Sequence, residues 1–567
     1  MLVGRLALLL SAALTWAQPP PFEILLGSGE KEPDRYREYG YTAAVLGNFT
    51  QLATYEEIAP GILGPDTPLR RQIEKNRSEF RQRLRQARAL GLKACLITDE
   101  ILLPTAIVDH FAGRITAADD AKKVDLGREE FWEVYRAKYR EVLREFPEIA
   151  FVMVRTGENY SYLLDGYSGQ LIAEPIAVRE RSDAYIRNMQ RLIRETRRIV
   201  VDEFGRKLIW RTWDMGNYGF HANPAVYDRV LAGVNERDGL IFSVKFTQTD
   251  YWRYNDFNPN IGRGGVDQIV EFQCAREYEG KGAFANYLGE EHAEAMRRAS
   301  ALGVKGVCIW NFGGGWGGPH LKSDRWVRLN IETTAALARN PHLSPRALAQ
   351  AWAEKEFGRR AASKVADLLL QSDDCVRAFR YIAPYARKHP GWLPSRNIMR
   401  DDIIRGEKVL GGEGGLRLLY EGSREQLDEA LAEKQEAAAC ATRLREGFES
   451  LREAIVAERG ERLYREALHS FRYLEALARV MAHYIGGMFW YYRWEEAGGE
   501  ETARKALKEL RAWRRAWDVY RNDIPKLEGV ATLYRSQNSQ RDGDVEGAMA
   551  STCELALTRL EGRHGVK

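Results

Sequence analysis

Residues 243–288 read SVKFTQTDYWRYNDFNPNIGRGGVDQIVEFQCAREYEGKGAFANYL. Two apolar runs of strand length, Leu240–Phe246 and Ile269–Cys274, each lead into a polar cluster. Asp250 follows the first run, Glu277 follows the second, and aromatic residues crowd both ends. Paired carboxyls carry out acid–base chemistry on glycosidic bonds, and aromatic rings offer a sugar a large apolar face with a polar edge. The stretch therefore predicts two neighbouring strands of a barrel that cleaves sugars.

The same alternation of elements extends on both sides of this stretch. Eight apolar runs are predicted as strands: Phe22–Ser28, Tyr41–Gly47, Lys93–Asp99, Ile149–Thr156, Lys207–Trp213, Leu240–Phe246, Ile269–Cys274 and Val304–Trp310. Amphipathic helices are predicted between most of them, over Leu69–Leu90, Arg128–Glu145, Arg179–Asp202, Pro224–Ala232 and Glu290–Leu302. Apolar strands alternating with helices indicate a parallel sheet covered on both faces. We predict a (β/α)8 TIM barrel over residues 20–343; a doubly wound open sheet is the alternative, but no GxGxxG follows the first strand.

The pattern changes after residue 343. Ser344 is suited to cap a helix and Pro345 to occupy its first turn. Apolar residues from Leu463 to Ile485 recur at steps of three and four, which predicts one face of a long helix. We predict an all-α C-terminal domain over residues 344–567, with the aromatic run Phe489–Trp494 packed on the barrel rather than binding a ligand.

The N-terminus resembles a secretory signal. Arg5 precedes the apolar run Leu6–Leu14, and Thr15-Trp16-Ala17 offers a small-residue cleavage site. Residues 1–17 thus predict export to the periplasm or the medium, with no membrane association after cleavage. The 84 Lys and Arg nearly balance the 80 Asp and Glu, so no nucleic-acid partner is expected; the sequence leaves a homodimer open.

Neither the cysteines nor the histidines form a ligand pattern. The six cysteines are scattered singly, and Cys95, Cys274 and Cys308 lie inside predicted strands, where small buried hydrophobes are expected. The nine histidines form no HExxH or HxH spacing. We therefore expect no metal and no other cofactor.

Candidate catalytic residues follow from the rule that barrel chemistry lies at the carboxyl ends of the strands. Glu158 follows the fourth strand, where an apolar wall would raise the pKa of its carboxyl and suit it to act as general acid; the alternative is a helix cap. Asp250 and Glu277 end the sixth and seventh strands and could polarise a water, although each alone could be a salt-bridge partner. Further strand-end residues are predicted to contact the sugar: Arg155, Trp213, Tyr278, Trp310 and Asn311.

Two cations lie inside apolar strands. Arg211 and Lys245 are surrounded in sequence by apolar and aromatic residues, and a buried unpaired cation is costly. Each therefore either awaits an anionic ligand or pairs with a structural carboxylate such as Asp214 or Glu271. The first reading predicts an oligosaccharide substrate that carries a carboxylate of its own.

Several of these segments resemble glycoside hydrolase family 67, the α-glucuronidases. VEFQCAREYEG, from Val270 to Gly280, resembles the family's EFQ-x-x-x-EY-x-G signature. VK-x-x-x-x-D, from Val244 to Asp250, and WR, at Trp210-Arg211, are similar to two more of its segments, and residues 154–158 resemble its general-acid strand. SPRALAQAWAEKEFG, from Ser344 to Gly358, is similar to the start of its helical C-terminal domain.

The resemblance implies an inverting, metal-independent hydrolase that removes glucuronic acid or its 4-O-methyl ether from xylan fragments. It implies Glu158 as general acid, Asp250 and Glu277 as the residues that activate water, and Arg211 with Lys245 as the uronate-binding pair. The chain departs from the family: its first predicted strand comes almost directly after the signal segment, where the family has a β-sandwich domain, and Arg155 stands three residues before Glu158 where the family has a lysine four before its acid. We therefore interpret it as a distant relative. The alternatives are a glycosidase of different sugar specificity on the same barrel, or a non-catalytic carbohydrate-binding barrel.

Overall fold

The computed structural model describes residues 22–30, 32–121, 123–157, 165–168, 182–214, 219–312, 320–389, 416–533 and 546–564. The predicted signal segment and the candidate acid Glu158 lie outside the described residues. The export signal and the role of Glu158 as general acid therefore remain predictions.

Eight parallel strands close into a barrel, as predicted. They are β1 (Ile24–Ser28), β2 (Ala43–Asn48), β3 (Lys93–Asp99), β4 (Ile149–Arg155), β5 (Lys207–Arg211), β6 (Leu240–Lys245), β7 (Asp267–Gln273) and β8 (Gly306–Trp310). Neighbours in sequence are neighbours in the barrel, and β8 pairs with β1 to close it. In the register of the last strands, Arg211 lies opposite Ser243 and Lys245 opposite Glu271. That register brings the charged residues of β5, β6 and β7 together near the carboxyl end.

Apolar side chains fill the barrel, and helices cover it. Residues such as Leu26, Cys95, Met153, Ile209 and Cys308 form the interior cluster, and their volume makes the barrel a packed core rather than a pore. The helices of this part of the chain are Pro33–Glu38, Pro68–Ala89, Thr105–His110, Glu129–Glu145, Asp183–Arg197, Pro224–Ala232, Gly289–Ala301 and Arg325–Arg339. A two-residue antiparallel pair, Leu103–Pro104 with Tyr167–Ser168, lies outside the barrel.

Several helices of the barrel region differ from the predicted set; Pro33–Glu38 and Thr105–His110 are not predicted from the sequence. The helix expected over Arg179–Asp202 begins at Asp183, because the Ser182 hydroxyl caps it by accepting from the backbone N–H of Tyr185. After Arg197 it continues as a π-helix over Arg198–Glu203. The helix Arg325–Arg339 is not predicted from the sequence.

The C-terminal region is all-α within its described residues. Its helices are Pro345–Phe357, Arg359–Arg380, Ala383–Lys388, Leu416–Ser423, Leu427–Glu449, Arg452–Arg459, Glu461–Ala497, Glu500–Asn522 and Glu546–His564. Ser344 caps the first by accepting from the N–H of Ala347, and Pro345 occupies its first turn. The fold class is thus a (β/α)8 barrel followed by a helical domain, while the boundary at residues 343 and 344 stays a prediction. In the described part of the chain, no helix combines the length and apolarity needed to cross a membrane.

The long helix Glu461–Ala497 touches barrel-domain rings about a third of the way along its length rather than at residues 489–494. Tyr473 packs on Phe284 and Phe471 on Trp326. Phe489 and Tyr492 instead pack on Tyr420 within the helical domain. At about 1.5 Å per residue, the helix is long enough to leave the barrel well before its C-terminal end.

Candidate active site

A cluster of charged and aromatic side chains lies at the carboxyl ends of β5 to β8. Among the residues predicted for the site, the structure brings together Arg211, Lys245, Asp250, Trp213, Tyr278 and Trp310 through direct contacts. This is the end of the barrel at which chemistry is expected.

Arg211 forms an internal ion pair. Its Nε and Nη2 donate to the two carboxylate oxygens of Glu271, each at 2.7 Å. Burial raises the pKa of Glu271, but Arg211 outweighs it and holds the pKa at about 2. Of the two readings of Arg211, the structure therefore shows pairing with Glu271; Asp214, the other candidate partner, accepts from the Tyr185 hydroxyl at 2.7 Å.

Trp310 supports the same pair. The guanidinium of Arg211 lies 4.6 Å from the centre of the Trp310 ring. The indole N–H of Trp310 donates to Glu271 at 2.9 Å, and the Ser243 hydroxyl donates to it at 2.7 Å. Both the cation and its carboxylate are thereby held in one geometry.

Lys245 forms a second pair with a predicted catalytic residue. Its Nζ donates to Asp250 Oδ1 at 2.6 Å and lies 3.6 Å from the centre of the Trp213 ring. The Tyr278 hydroxyl donates to Asp250 Oδ2 at 2.6 Å, and the backbone N–H of Tyr251 donates to Oδ1 at 3.0 Å. We call Lys245, Asp250 and Tyr278 the mouth triad.

The mouth triad keeps its carboxylate ionised. Burial raises the pKa of Asp250, but the Lys245 charge and the hydrogen bonds from Lys245, Tyr278 and Tyr251 bring it below the ordinary value of 3.8. An ionised carboxylate is suited to accept a proton from a water or to stabilise positive charge, and unsuited to donate a proton near neutral pH.

Glu277 is oriented by its own loop. Its backbone N–H donates to Gln273 Oε1 at 3.1 Å, and Gln273 Nε2 donates back to Glu277 Oε1 at 3.3 Å. The half-buried Lys281 lies close enough to interact with the charge of Glu277. Burial lowers the pKa of Lys281, and the opposing effect of Glu277 is smaller. The side chain is thus positioned at the end of β7, next to Tyr278.

Arg155 and Asn311 bond to other strands of the rim. Arg155 forms a forked ion pair with Asp99 of β3, one arm of which measures 2.8 Å. Asn311 accepts from the Tyr41 hydroxyl at 2.7 Å and donates to Glu30 at 3.3 Å. Both predicted substrate contacts are therefore engaged in bonds within the protein.

The sequence analysis missed the contribution of the helical domain. Tyr381 joins Trp213, Trp252 and Tyr278 in a separate buried cluster, which we call the aromatic cluster. The Tyr381 hydroxyl accepts from the backbone N–H of Arg253 at 3.1 Å and donates to Glu279 at 2.8 Å. No local pattern marks Tyr381 as a site residue, because it is brought to the barrel from more than 100 residues away in sequence.

A buried histidine lies under the aromatic cluster. His221 contacts the Trp213 ring edge-on and bonds to Thr212 and to the Thr247 carbonyl. Burial, reinforced by the Lys245 charge, lowers the pKa of His221 to about 3. It is therefore neutral at physiological pH and serves as a support. Among the described residues, no group of three or more His, Cys, Asp or Glu side chains is arranged to hold a metal ion.

Comparison with known proteins shows the fold. No protein-family model and no curated protein matches the chain. The solved structure of a GH138 enzyme targeting pectin rhamnogalacturonan II superposes with a TM-score of 0.63 at 11% identity, covering 96% of this chain and 68% of that one. A GH115 4-O-methyl-α-glucuronidase with specificity for decorated arabinogalactans gives a TM-score of 0.44 at 14% identity, over 95% of this chain and 62% of that one. Neither of these two glycoside hydrolases belongs to family 67, and at such identities the first establishes a common architecture only.

Proposed function

We propose that the protein is an exported, inverting glycoside hydrolase that removes a terminal glucuronic or 4-O-methylglucuronic acid from acidic oligosaccharides. The observation that carries the proposal is the mouth triad: an ionised Asp250 at the end of β6 lies among the rings of the aromatic cluster and is bonded to Tyr278, which directly follows Glu277 at the end of β7. A barrel-and-helix architecture like that of the GH138 enzyme supports the same class of reaction.

In the proposed mechanism, Asp250 and Glu277 bind and orient the attacking water. Asp250 takes up a proton as the water attacks the anomeric carbon, because its carboxylate is ionised and is held in place by Lys245 and Tyr278. Glu158 donates a proton to the departing glycosidic oxygen. In an inverting enzyme the acid and base carboxyls are about 6.5–9.5 Å apart, which leaves room for the water.

One observation favours a second candidate, a glycosidase that acts on a different sugar. Arg211 and Lys245, the pair expected to hold a uronate carboxylate, direct their charges to Glu271 and Asp250. Internal pairing of these two cations weakens their role as uronate receptors but keeps Asp250 ionised, as the proposed base must be. A neutral sugar would then be the substrate unless another cation binds the carboxylate.

The deciding experiment is product analysis. The purified protein is incubated with 4-O-methylglucuronosyl xylo-oligosaccharides and with neutral counterparts, and the first-formed anomer is followed by NMR. We expect release of the β-uronic acid by the unmodified protein and none by Glu158→Gln. Release of the α-anomer would refute inversion, and hydrolysis of the neutral substrates alone would refute the uronide specificity. Sequencing the N-terminus of the exported protein tests cleavage after residue 17.

A further inference from the structure

Arg380 is a buried cation at the edge of the aromatic cluster. It ends the helix Arg359–Arg380 and is 5% exposed. Its Nε donates to the backbone carbonyl of Tyr278 at 2.7 Å, whereas its Nη2 is buried without a hydrogen-bond partner in the described part of the chain. Other buried cations of this region each form an ion pair with at least one carboxylate: Arg211, Lys245, Arg253 and Arg276.

A second buried cation, Lys434, lies close enough to Arg380 for their charges to interact. Its Nζ donates to the carbonyls of Ala378 and Tyr381 and pairs with Glu433 at 3.1 Å. Burial lowers the pKa of Lys434, and the positive charge of Arg380 lowers it further against the effect of Glu433. Because Glu433 balances only one of the two cations, an anion would be stabilised beside Arg380.

Arg380 and Asp250 are joined through one residue. The backbone carbonyl of Tyr278 accepts from Arg380, and the hydroxyl of the same tyrosine donates to Asp250 at 2.6 Å. The next residue along the helical domain, Tyr381, belongs to the aromatic cluster. The guanidinium and the carboxylate of the mouth triad are therefore bonded to opposite ends of the same residue, Tyr278.

We infer that Arg380, a residue of the helical domain, binds the carboxylate of an acidic sugar held in the aromatic cluster. The inference rests on the proposed function and deepens it, because it assigns to Arg380 the role that Arg211 and Lys245 cannot fill while they are paired. A guanidinium matches a carboxylate in shape and charge, and its bonds to an anion are about twice as strong as neutral ones. The helical domain thereby determines the charge of the preferred substrate.

The test compares Arg380→Met and Arg380→Lys with Arg387→Met. Arg387 is an exposed arginine of the following helix that pairs with Glu429, and so serves as the matched control. Binding of sodium glucuronate and of glucose is measured by calorimetry, which requires no turnover. The kinetic constants are measured on a glucuronoside and on its methyl ester, which lacks the charge.

We expect Arg380→Met to weaken glucuronate binding and to lower kcat/KM on the glucuronoside by about 100-fold, mainly through KM. Its effect on the methyl ester should stay within about threefold, and Arg380→Lys should recover part of the loss because it keeps the charge. Equal losses on both substrates, or an unchanged KM for the glucuronoside, would overturn the inference.

The binding measurement separates this inference from the proposed function. Glucuronate binding that depends on Arg380, without cleavage of any uronide, would support the carboxylate site and refute the hydrolase. Cleavage of uronides that is unaffected by Arg380→Met would support the hydrolase and refute the carboxylate site. Failure of the unmodified protein to bind glucuronate would overturn the assignment of Arg380.

Discussion

Two buried lysine–carboxylate–tyrosine groups occupy different places in the barrel. In the mouth triad, Lys245 and the Tyr278 hydroxyl both bond to Asp250. In the second group, which we call the wall triad, Lys138 Nζ and the Tyr139 hydroxyl bond to Glu100 Oε1 at 2.5 and 2.7 Å. Each lysine also lies close to aromatic rings.

The two triads differ in access and in the use of their carboxylate oxygens. The lysine and carboxylate side chains of the wall triad are 0% exposed, against 5% and 8% in the mouth triad. Glu100 Oε2 has no hydrogen-bond partner in the described part of the chain, whereas both oxygens of Asp250 are bonded. Similar chemical groups thus occur at two levels of exposure, and the proposed function assigns a catalytic role only to the group at the mouth.

The largest effect is expected from removing the charge of the mouth carboxylate. Asp250→Asn should lower kcat by about 1000-fold, because an amide cannot take up the proton of the water. The matched control is Glu100→Gln, which makes the same chemical change in the wall triad and should leave the kcat of the folded protein within about threefold. Both variants are compared by steady-state kinetics on the hydrolysed oligosaccharide, and circular dichroism measures the folded fraction of each. Equal losses of kcat in Asp250→Asn and Glu100→Gln would show that the two triads do not differ in function.

The next effect concerns stability. Lys138→Met should lower the free energy of unfolding by about 3–5 kcal/mol, because it leaves Glu100 buried without its cation. Lys245→Met should cost less, because the Tyr278 hydroxyl and the backbone N–H of Tyr251 still bond to the two oxygens of Asp250. Urea unfolding measures both. The double variant Lys138→Met/Glu100→Leu should regain at least half of the loss, and a double variant as unstable as the single one would show that the ion pair is not the cause.

The smallest effect is expected in the pH dependence of kcat/KM, where Tyr278 of the mouth triad and Tyr139 of the wall triad should differ. Tyr278→Phe removes a hydrogen bond to ionised Asp250, so the pKa of that carboxyl should rise and the acid limb of kcat/KM should move about one pH unit upward. In the unmodified protein the pKa of Asp250 is below 3.8, so activity that requires its negative charge is lost only as the pH falls through that lowered pKa. Raising the pKa therefore moves the loss of activity to higher pH. Tyr139→Phe should leave the limb in place, and a shift in both variants would argue against a local cause.

The fold could be predicted closely because its strands are buried on both faces. Runs such as Lys93–Asp99 and Leu240–Phe246 are mostly apolar on both faces, which is typical of parallel sheets; the observed strands are Lys93–Asp99 and Leu240–Lys245. The helix at Arg325–Arg339 could not be predicted in the same way, because it follows the last strand and no further strand brackets it.

The site could be predicted only as a set of residue types. The sequence identifies Arg211 and Lys245 as cations in apolar strands, and Glu271 as one of two carboxylates that could pair with them. That Lys245 bonds to Asp250 rather than to Glu271, which lies opposite it in the register, depends on side-chain reach in three dimensions. The contacts of Arg380 and Tyr381 span more than 100 residues, so no local pattern could indicate them.

The bond between the backbone N–H of Arg253 and the Tyr381 hydroxyl joins residues 128 positions apart. At a synthesis rate of about 5–20 residues per second, the ribosome would need roughly 6–26 s to advance from one to the other. During that interval the nascent barrel has its strands β5 and β6 but lacks the helical cover of its mouth. Trp213 and Trp252 are therefore synthesised well before Tyr381, the ring that completes their buried cluster.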